Sequence, residues 1–285
     1  GRAGGIGMRL DYQLPSAPLR PFVTVHAFVG EVEAPATEVL PAMLPNLHVR
    51  LAGHSRYGFG DAPARPAPRV ALVGPTSEAY RIELEPGLEM LCLGLLPAGW
   101  SALLGAPAQE FADRLFDGAE LWGATAVEQL CEALAAGRDQ ASRIRTLERF
   151  LSLRMRPRAA MQPLAAIDHW LEFSPDLSLD ALAASLDVGS RHLRRLTLEH
   201  YGASPKTLAM KYRALRAAAD MASRGTTAME QALALFADQA HLTRDFRRFV
   251  GWTPVAFMRE RQNVAAYTLA GRRQAGASRP LSLLS

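Results

Sequence analysis

One stretch of this chain occurs twice at a constant offset. The first copy carries His192-Leu193-Arg194-Arg195, then Gly202, then Ser204-Pro205. The second carries His241-Leu242-Thr243-Arg244, then Gly251, then Thr253-Pro254. Matched positions are 49 residues apart throughout. Several identities at one offset mark an internal duplication rather than chance.

Each copy has a physical reading. In the first, Ser178 is placed to cap a helix beginning at Leu179, with Asp180 in its first turn near the positive end of the dipole. Leu182, Ala183 and Leu186 share one face of that helix. A turn follows at Asp187-Val188-Gly189, and the spacing predicts a second helix from Ser190 to about Tyr201. Leu193, Leu196 and His200 lie on one side of it; Arg191, Arg194 and Arg195 lie on the other. Gly202 is a C-terminal glycine stop. In the second copy, Thr227 and Glu230 read as a capping box for a helix through Leu235. Asp238 caps a helix through about Val250. Leu242, Phe246 and Phe249 point inward on it, and Gln239, Thr243, Arg244 and Arg247 outward. Between the copies, Ser204 and Pro205 open a helix with a stripe at Leu208, Tyr212, Leu215, Ala219 and Ala222, stopped by Gly225. Two short helices around a tight turn, the second carrying a row of arginines, describe a helix-turn-helix.

Two such units joined by one long helix resemble the AraC/XylS-type DNA-binding domain. The resemblance is carried by Ser190-Arg191-His192-Leu193-Arg194-Arg195, Gly202-Ala203-Ser204-Pro205, Asp238-Gln239-Ala240-His241-Leu242-Thr243-Arg244-Asp245-Phe246 and Gly251-Trp252-Thr253-Pro254. It implies seven helices, with the second helix of each unit in successive major grooves, about 34 Å apart. Three departures stand out. The family usually has Ser at the place of Gly189 and Phe at the place of Thr197. It usually has a Gly-aromatic pair before the second cap, where Leu235 here leads straight into Phe236. The second turn is therefore expected to be one residue short or to lack its glycine.

Charge follows the duplication. Residues 157–285 hold 17 basic and 11 acidic side chains, against 15 and 17 in residues 1–156. The excess of positive charge is where nucleic acid would require it. Only Lys206 and Lys211 are lysines, so the richness in arginine also reflects composition.

At 285 residues the chain is long enough for two domains. The longest apolar run, Met90 to Trp100, contains Pro97 and is too short to span a bilayer. No signal peptide is read in Gly1 to Gly7, which reads as a tag scar or upstream extension before Met8. Two cysteines, Cys92 and Cys131, make no disulfide framework and fit a reducing cytoplasm.

In the first half, strand-like runs are expected at 22–25, 47–51, 69–73, 80–84 and 90–95, with 55–69 as a loop. From Pro97 the period becomes helical: a helix beginning over 100–104, a turn over 110–115, then helices at 124–136 and 140–155. In the last, Ile144, Leu147, Leu151 and Met155 form a stripe, expected to be intramolecular core before dimer seam. The fold class is thus an α+β N-terminal domain, a small β-barrel-like sheet followed by helices, and an all-α C-terminal domain with two helix-turn-helix units. The expected boundaries are 8–155, a linker at 156–163 bracketed by Pro157 and Pro163, and 164–272. This half resembles the uncharacterised sensor domain of one group of AraC-like regulators, through Leu19-Arg20-Pro21-Phe22-Val23, Val73-Gly74-Pro75, Pro86-Gly87, Leu103-Leu104-Gly105-Ala106-Pro107 and Leu121-Trp122-Gly123. That resemblance implies a small effector inside the β-rich part and a dimer contact on the helices, and names no ligand.

Enzyme motifs fail on inspection. Gly53-His54-Ser55-Arg56 begins like a nucleophile elbow, but Tyr57 stands at the second glycine. Gly58-Phe59-Gly60 begins like a dinucleotide loop, but Pro63 follows and no helix does. His26, His48 and His54 lack metal-ligand spacing. Neither catalysis nor a cofactor is expected.

Base edges are assigned to Arg191, Arg194 and Arg195 in one groove and to Gln239, His241 and Arg244 in the next, with His192 and Thr243 beside them. Lys206, Arg247 and Arg248 are assigned to phosphates. The expected partners are double-stranded DNA, RNA polymerase, a small-molecule effector and a second copy of the chain, without a membrane. The competing readings are a regulator acting through protein contacts with weakened DNA binding, and a small-ligand carrier.

Overall fold

The computed structural model describes residues 2–3, 7–156, 161–224, 226–233 and 235–259, together with 268, 271, 272, 275, 276 and 281. Much of the expected linker, 157–160, lies outside the described residues.

The N-terminal half is built on two antiparallel sheets. In chain order the strands are β1 (Arg2–Ala3), β2 (Met8–Gln13), β3 (Val23–Gly30), β4 (Ala36–Leu40), β5 (Asn46–Ala52), β6 (Ser55–Gly58), β7 (Arg65–Pro66), β8 (Val70–Val73), β9 (Tyr80–Leu84), β10 (Glu89–Leu95) and β11 (Leu115–Asp117). The larger sheet runs β1-β2-β3-β10-β5-β8-β11 and the smaller β4-β9-β6-β7. The expected small barrel is thus realised as two facing sheets. The loop expected at 55–69 instead contributes β6 and β7, which pair through Arg56 with Pro66 and Tyr57 with Arg65. β7 is the edge strand of the smaller sheet, where Pro66 costs no ladder on the open side.

Strand β10 explains why Met90–Leu95 reads as an unbroken apolar run. Met90 and Cys92 face the smaller sheet, packing with Tyr57, Tyr80, Ile82 and Leu84. Leu91, Leu93 and Leu95 face the helical side with Leu47, Val49 and Leu72. A strand covered on both faces loses its polar alternation. At Gly94 the register with β3 shifts, and an added Cβ there would lie 2.5 Å from Thr24 Oγ1.

The helical side comprises α1 (Pro97–Leu103), α2 (Gly118–Trp122), α3 (Ala124–Ala135) and α4 (Gln140–Arg154). Asp139 and Ser142 form a reciprocal capping box at the start of α4. The stripe Ile144, Leu147, Leu151 and Met155 is buried in this domain's own core, so it is unavailable as a dimer seam.

The C-terminal half holds α5 (Met161–Phe173), α6 (Leu179–Ser185), α7 (Ser190–Tyr201), α8 (Pro205–Arg224), α9 (Thr226–Leu233), α10 (Gln239–Val250) and α11 (Pro254–Arg259). Among the described residues these are the seven helices the resemblance implies. Helix α5 starts earlier than expected, with Pro163 inside its first turn, where a missing N–H costs no intrahelical bond. Ser178 caps α6, Asp238 caps α10 and Ser204 accepts from Thr207 N. The expected capping box of Thr227 and Glu230 rests on side chains outside the described set; the backbone of α9 already begins at Thr226. The α8 stripe also ends sooner than expected: Ala222 is exposed, and Met221 takes the last inward position.

The departures from the family pattern have distinct outcomes. Gly189 gives α7 no side-chain cap, as expected. Thr197 is fully buried and turns its hydroxyl onto Arg194 O at 3.1 Å, so the smaller side chain is accommodated without an orphaned donor. The second turn lacks a glycine, one of the two alternatives expected; α9 is described to Leu233 and α10 begins at Gln239, with residue 234 outside the described residues. The first turn uses Asp187 at φ 51°, whereas Phe236 occupies the matching place buried among the helices.

Gly189 and Gly251 should respond oppositely to substitution. Gly189 has ordinary φ and open space, so Gly189→Ser should stabilise by a few tenths of a kcal/mol through capping. Gly251 has φ +86°, and its added Cβ would lie 2.3 Å from Val39 Cγ1. Gly251→Ala should cost about 1–3 kcal/mol in urea denaturation.

Candidate nucleic-acid interface

The two reading helices are held by α8. Both α7 and α10 pack against it. Its alanines 209, 214, 217, 218 and 219 are buried and let neighbouring backbones come close. Tyr201 at the end of α7 donates to Asp168 Oδ1 at 2.6 Å and Leu164 O at 3.2 Å, fixing α7 to α5. Phe246 and Phe249 of α10 are buried, with Phe246 edge-on to Phe257 of α11 at 5.5 Å.

With one face of each helix committed inward, the other is exposed. On α7, Arg191, His192, Arg194 and Arg195 are all exposed. Arg195 lies 3.5 Å from Glu199 and 3.4 Å from His192, both weak exposed contacts. On α10, Gln239, Arg244 and Arg247 are exposed and Thr243 half-exposed. Lys206 is exposed in the first turn of α8.

Two assigned residues sit differently from their assignments. His241 is half-buried, edge-on to Phe236 at 5.5 Å, with Nε2 3.3 Å from the buried Asp245. That distance suits ion pairing, but the alignment gives Asp245 Oδ2 no hydrogen bond. The ring thus leans on Phe236 while 28% of the side chain stays exposed. Arg248, assigned to phosphate, reaches the N-terminal half instead: its Nε is 3.2 Å from Glu78.

Arg248 belongs to a contact between the two halves that the sequence did not reveal. Phe249 O accepts from Ala42 N at 2.7 Å and Arg248 O from Ala79 N at 2.8 Å. The terminal glycines of both reading helices meet the same half. Gly251 abuts Val39 and Ala79; Gly202 abuts Pro75 and the Ala108 carbonyl. Between them, Lys211 of α8 is buried and donates to Met43 O at 2.8 Å and Thr76 O at 3.0 Å. Residues 75–79 therefore touch α7, α8 and the end of α10. Ala42, Leu44, Leu96 and Ala98 complete the apolar core of the C-terminal half.

Sequence reasoning also missed Arg216, which donates to Trp170 O, Leu171 O and Ser174 O and so satisfies the last carbonyls of α5. The signal for Lys211 was present: it is one of two lysines in an arginine-rich chain and sits beside Tyr212 of the α8 stripe.

A helix-turn-helix domain family matches residues 182–260, the segment holding both reading helices. Over these residues the chain carries a helix-turn-helix domain. A domain of unknown function, DUF6597, matches residues 12–117. No curated protein matches the chain. Among solved structures it is similar to ToxT from Vibrio cholerae O395, at 8% identity and a TM-score of 0.45 over 88% of this chain and 97% of that one. Wild-type ToxT from Vibrio cholerae strain SCE256, bound to an unsaturated fatty acid, overlaps at 10% identity and 0.44, covering 88% and 95%. The AraC-like transcriptional activator CuxR overlaps at 14% identity and 0.32, covering 78% and 90%. Overlaps this partial transfer nothing residue by residue. Among the described residues no helix is long and apolar enough to cross a membrane.

Lys211 makes the contact between the halves pH-sensitive. Burial pushes its ammonium down to about 7 from an ordinary 10.5, with Asp113 opposing. The unfolded chain then binds more protons than the folded one between those values, so stability rises with pH from about 7 to about 10. The slope from this group is at most about 1.4 kcal/mol per pH unit. Lys211→Met should flatten that rise in denaturant titrations at pH 7, 8 and 9, while leaving two carbonyls to find water.

Proposed function

We propose that the chain is a sequence-specific DNA-binding transcriptional regulator that responds to a small molecule taken up by its N-terminal half. The observation that supports this best is the paired exposure of arginines on α7 and α10, both helices being anchored to one rigid helix. An exposed arginine on a helix that fits a major groove can pair bidentately with guanine. A 20-residue α8 is about 30 Å long, close to the about 34 Å between successive major grooves on one face of a duplex.

Arg195 and Arg244 occupy matching places in the two copies and are assigned to base edges, with Arg191, Arg194 and Gln239 beside them. Lys206 and Arg247 hold phosphates, Lys206 beside the N-terminal amides of α8. His241, half-buried against Phe236, stays beside Arg244 at the edge of the second groove, and Arg248 serves the contact with Glu78. His192 and Thr243 flank the reading positions.

Binding to fragments selected from random DNA by the full-length chain tests this. Arg195→Ala and Arg244→Ala should each cost roughly 1–3 kcal/mol on the selected site and relax preference at one base. Lys206→Ala should weaken all sequences alike and lower the salt slope by about one. Equal loss on every sequence for Arg195→Ala would remove its reading role. Absence of any salt-dependent shift would favour a regulator working through protein contacts.

A further inference from the structure

Sheet register brings together two donors that the chain keeps far apart. Cys92 of β10 and His48 of β5 are 44 residues apart in sequence, yet they are direct partners across the larger sheet. Side chains so paired hold their Cβ atoms about 4.5–5.5 Å apart. Both line a cavity of about 80 Å³ between the two sheets. Met8, Met43 and Met90 line it as well, three of the nine methionines in the chain, so sulfur and one imidazole gather in a single chamber. Leu10, Val29, Leu40 and Ile82 make much of the remaining wall aliphatic.

His48 is held as a ligand would be. It is 5% exposed, and its Nδ1 is hydrogen-bonded to Tyr57 Oη. Nε2 is left without a hydrogen-bond partner among the described residues. A ring oriented through one nitrogen, with the other free, is the arrangement that outer hydrogen bonds give to metal-bound histidines. Tyr57 Oη also lies 3.7 Å from Met90 Sδ, so one phenol touches both the imidazole and a thioether. The other thiol, Cys131, is buried in the helical core of the N-terminal half, away from this cavity.

We propose that Cys92 and His48 bind a soft monovalent metal ion, of the copper(I) class, with the thioethers of Met43 and Met90 close by as further donors. The site is independent of the DNA-binding reading.

Charge and softness select the ion. Binding exchanges the S–H bond of Cys92 for a sulfur–metal bond, and the proton leaves to solvent. No electron is transferred, so the ion enters and stays as copper(I). Thiolate, neutral imidazole and a monocation sum to no net charge, which suits a chamber walled largely by hydrocarbon. A divalent ion would leave one positive charge there, in a lining that already includes Arg272. Among the described residues no three of His, Cys, Asp and Glu converge on a metal, so the four-ligand sets of structural zinc are lacking. Thiolate and thioether donors favour copper(I), which binds firmly with two strong ligands.

Anaerobic titration of the full chain, purified without a polyhistidine tag, against copper(I) bicinchoninate tests this. The chain should withdraw a single equivalent of copper(I) and gain a near-ultraviolet thiolate-to-copper band. Loss of a supporting partner of a metal ligand costs roughly 10–100-fold in affinity. Cys92→Ala and His48→Phe remove ligands outright, so each should cost more than about a hundredfold. Cys131→Ala should keep the wild-type affinity and the band. Zinc(II), titrated against a zinc chelator, should bind the wild type no better than Cys92→Ala. Should both ligand variants fail to fold by circular dichroism, X-ray absorption of the copper-loaded wild type decides, with sulfur and nitrogen together around the ion expected. No copper withdrawn by the wild type, equal withdrawal by folded Cys92→Ala, loss of the band in folded Cys131→Ala, zinc held as tightly as copper, or an absorption spectrum lacking either element would overturn it.

Discussion

Helix α8 is the constraint on which the rest of the structure depends. It is buried over most of its length, and its inward positions are largely alanine. Small side chains let α7 and α10 come close and leave little room for rocking, because interiors are packed as tightly as crystals. Lys211 and Arg216 then use its polar positions as ties, one to the N-terminal half and one to the end of α5. Two reading helices that would otherwise be separate modules become a pair with one geometry.

The same geometry is held from outside. The C-terminal ends of α7 and α10 finish in left-handed glycines, and both rest on the N-terminal half. A glycine there serves two ends at once, ending the helix and permitting a close approach that a Cβ would block. The N-terminal half therefore contributes to the arrangement of α7 and α10. Its residues Ala42, Leu44, Leu96 and Ala98 lie in one apolar core with α5, α7 and α10. A change in the sheets has a short path to the exposed faces of α7 and α10.

What was legible in the sequence follows a clear physical division. The duplicated units were readable because helix periodicity, caps and terminal glycines are local: Ser178, Asp238, Gly202 and Gly251 each act within one turn. The alternation of Tyr80–Leu84 and the doubly buried run of β10 were readable for the same reason. Strand β4 was not, since its partner β9 lies about 40 residues on, and the hairpin of β6 and β7 was masked by the glycines and prolines of 55–69. Helix α5 began early because a proline in a first turn looks from sequence like a linker. The reading arginines were legible as a row on one face, but Arg248 was not separable from Arg247 until Glu78 was placed beside it. His241 looked like its exposed counterpart His192, and only packing on Phe236 distinguished them.

Under the proposed function, α7 and α10 enter neighbouring major grooves together, at a separation set by α8. Methylation interference on a bound DNA fragment measures this directly, since guanine N7 lies in the major groove. Two clusters of interfering guanines about 10 base pairs apart on one face of the duplex are expected. A single cluster, or two clusters on opposite faces, would contradict it.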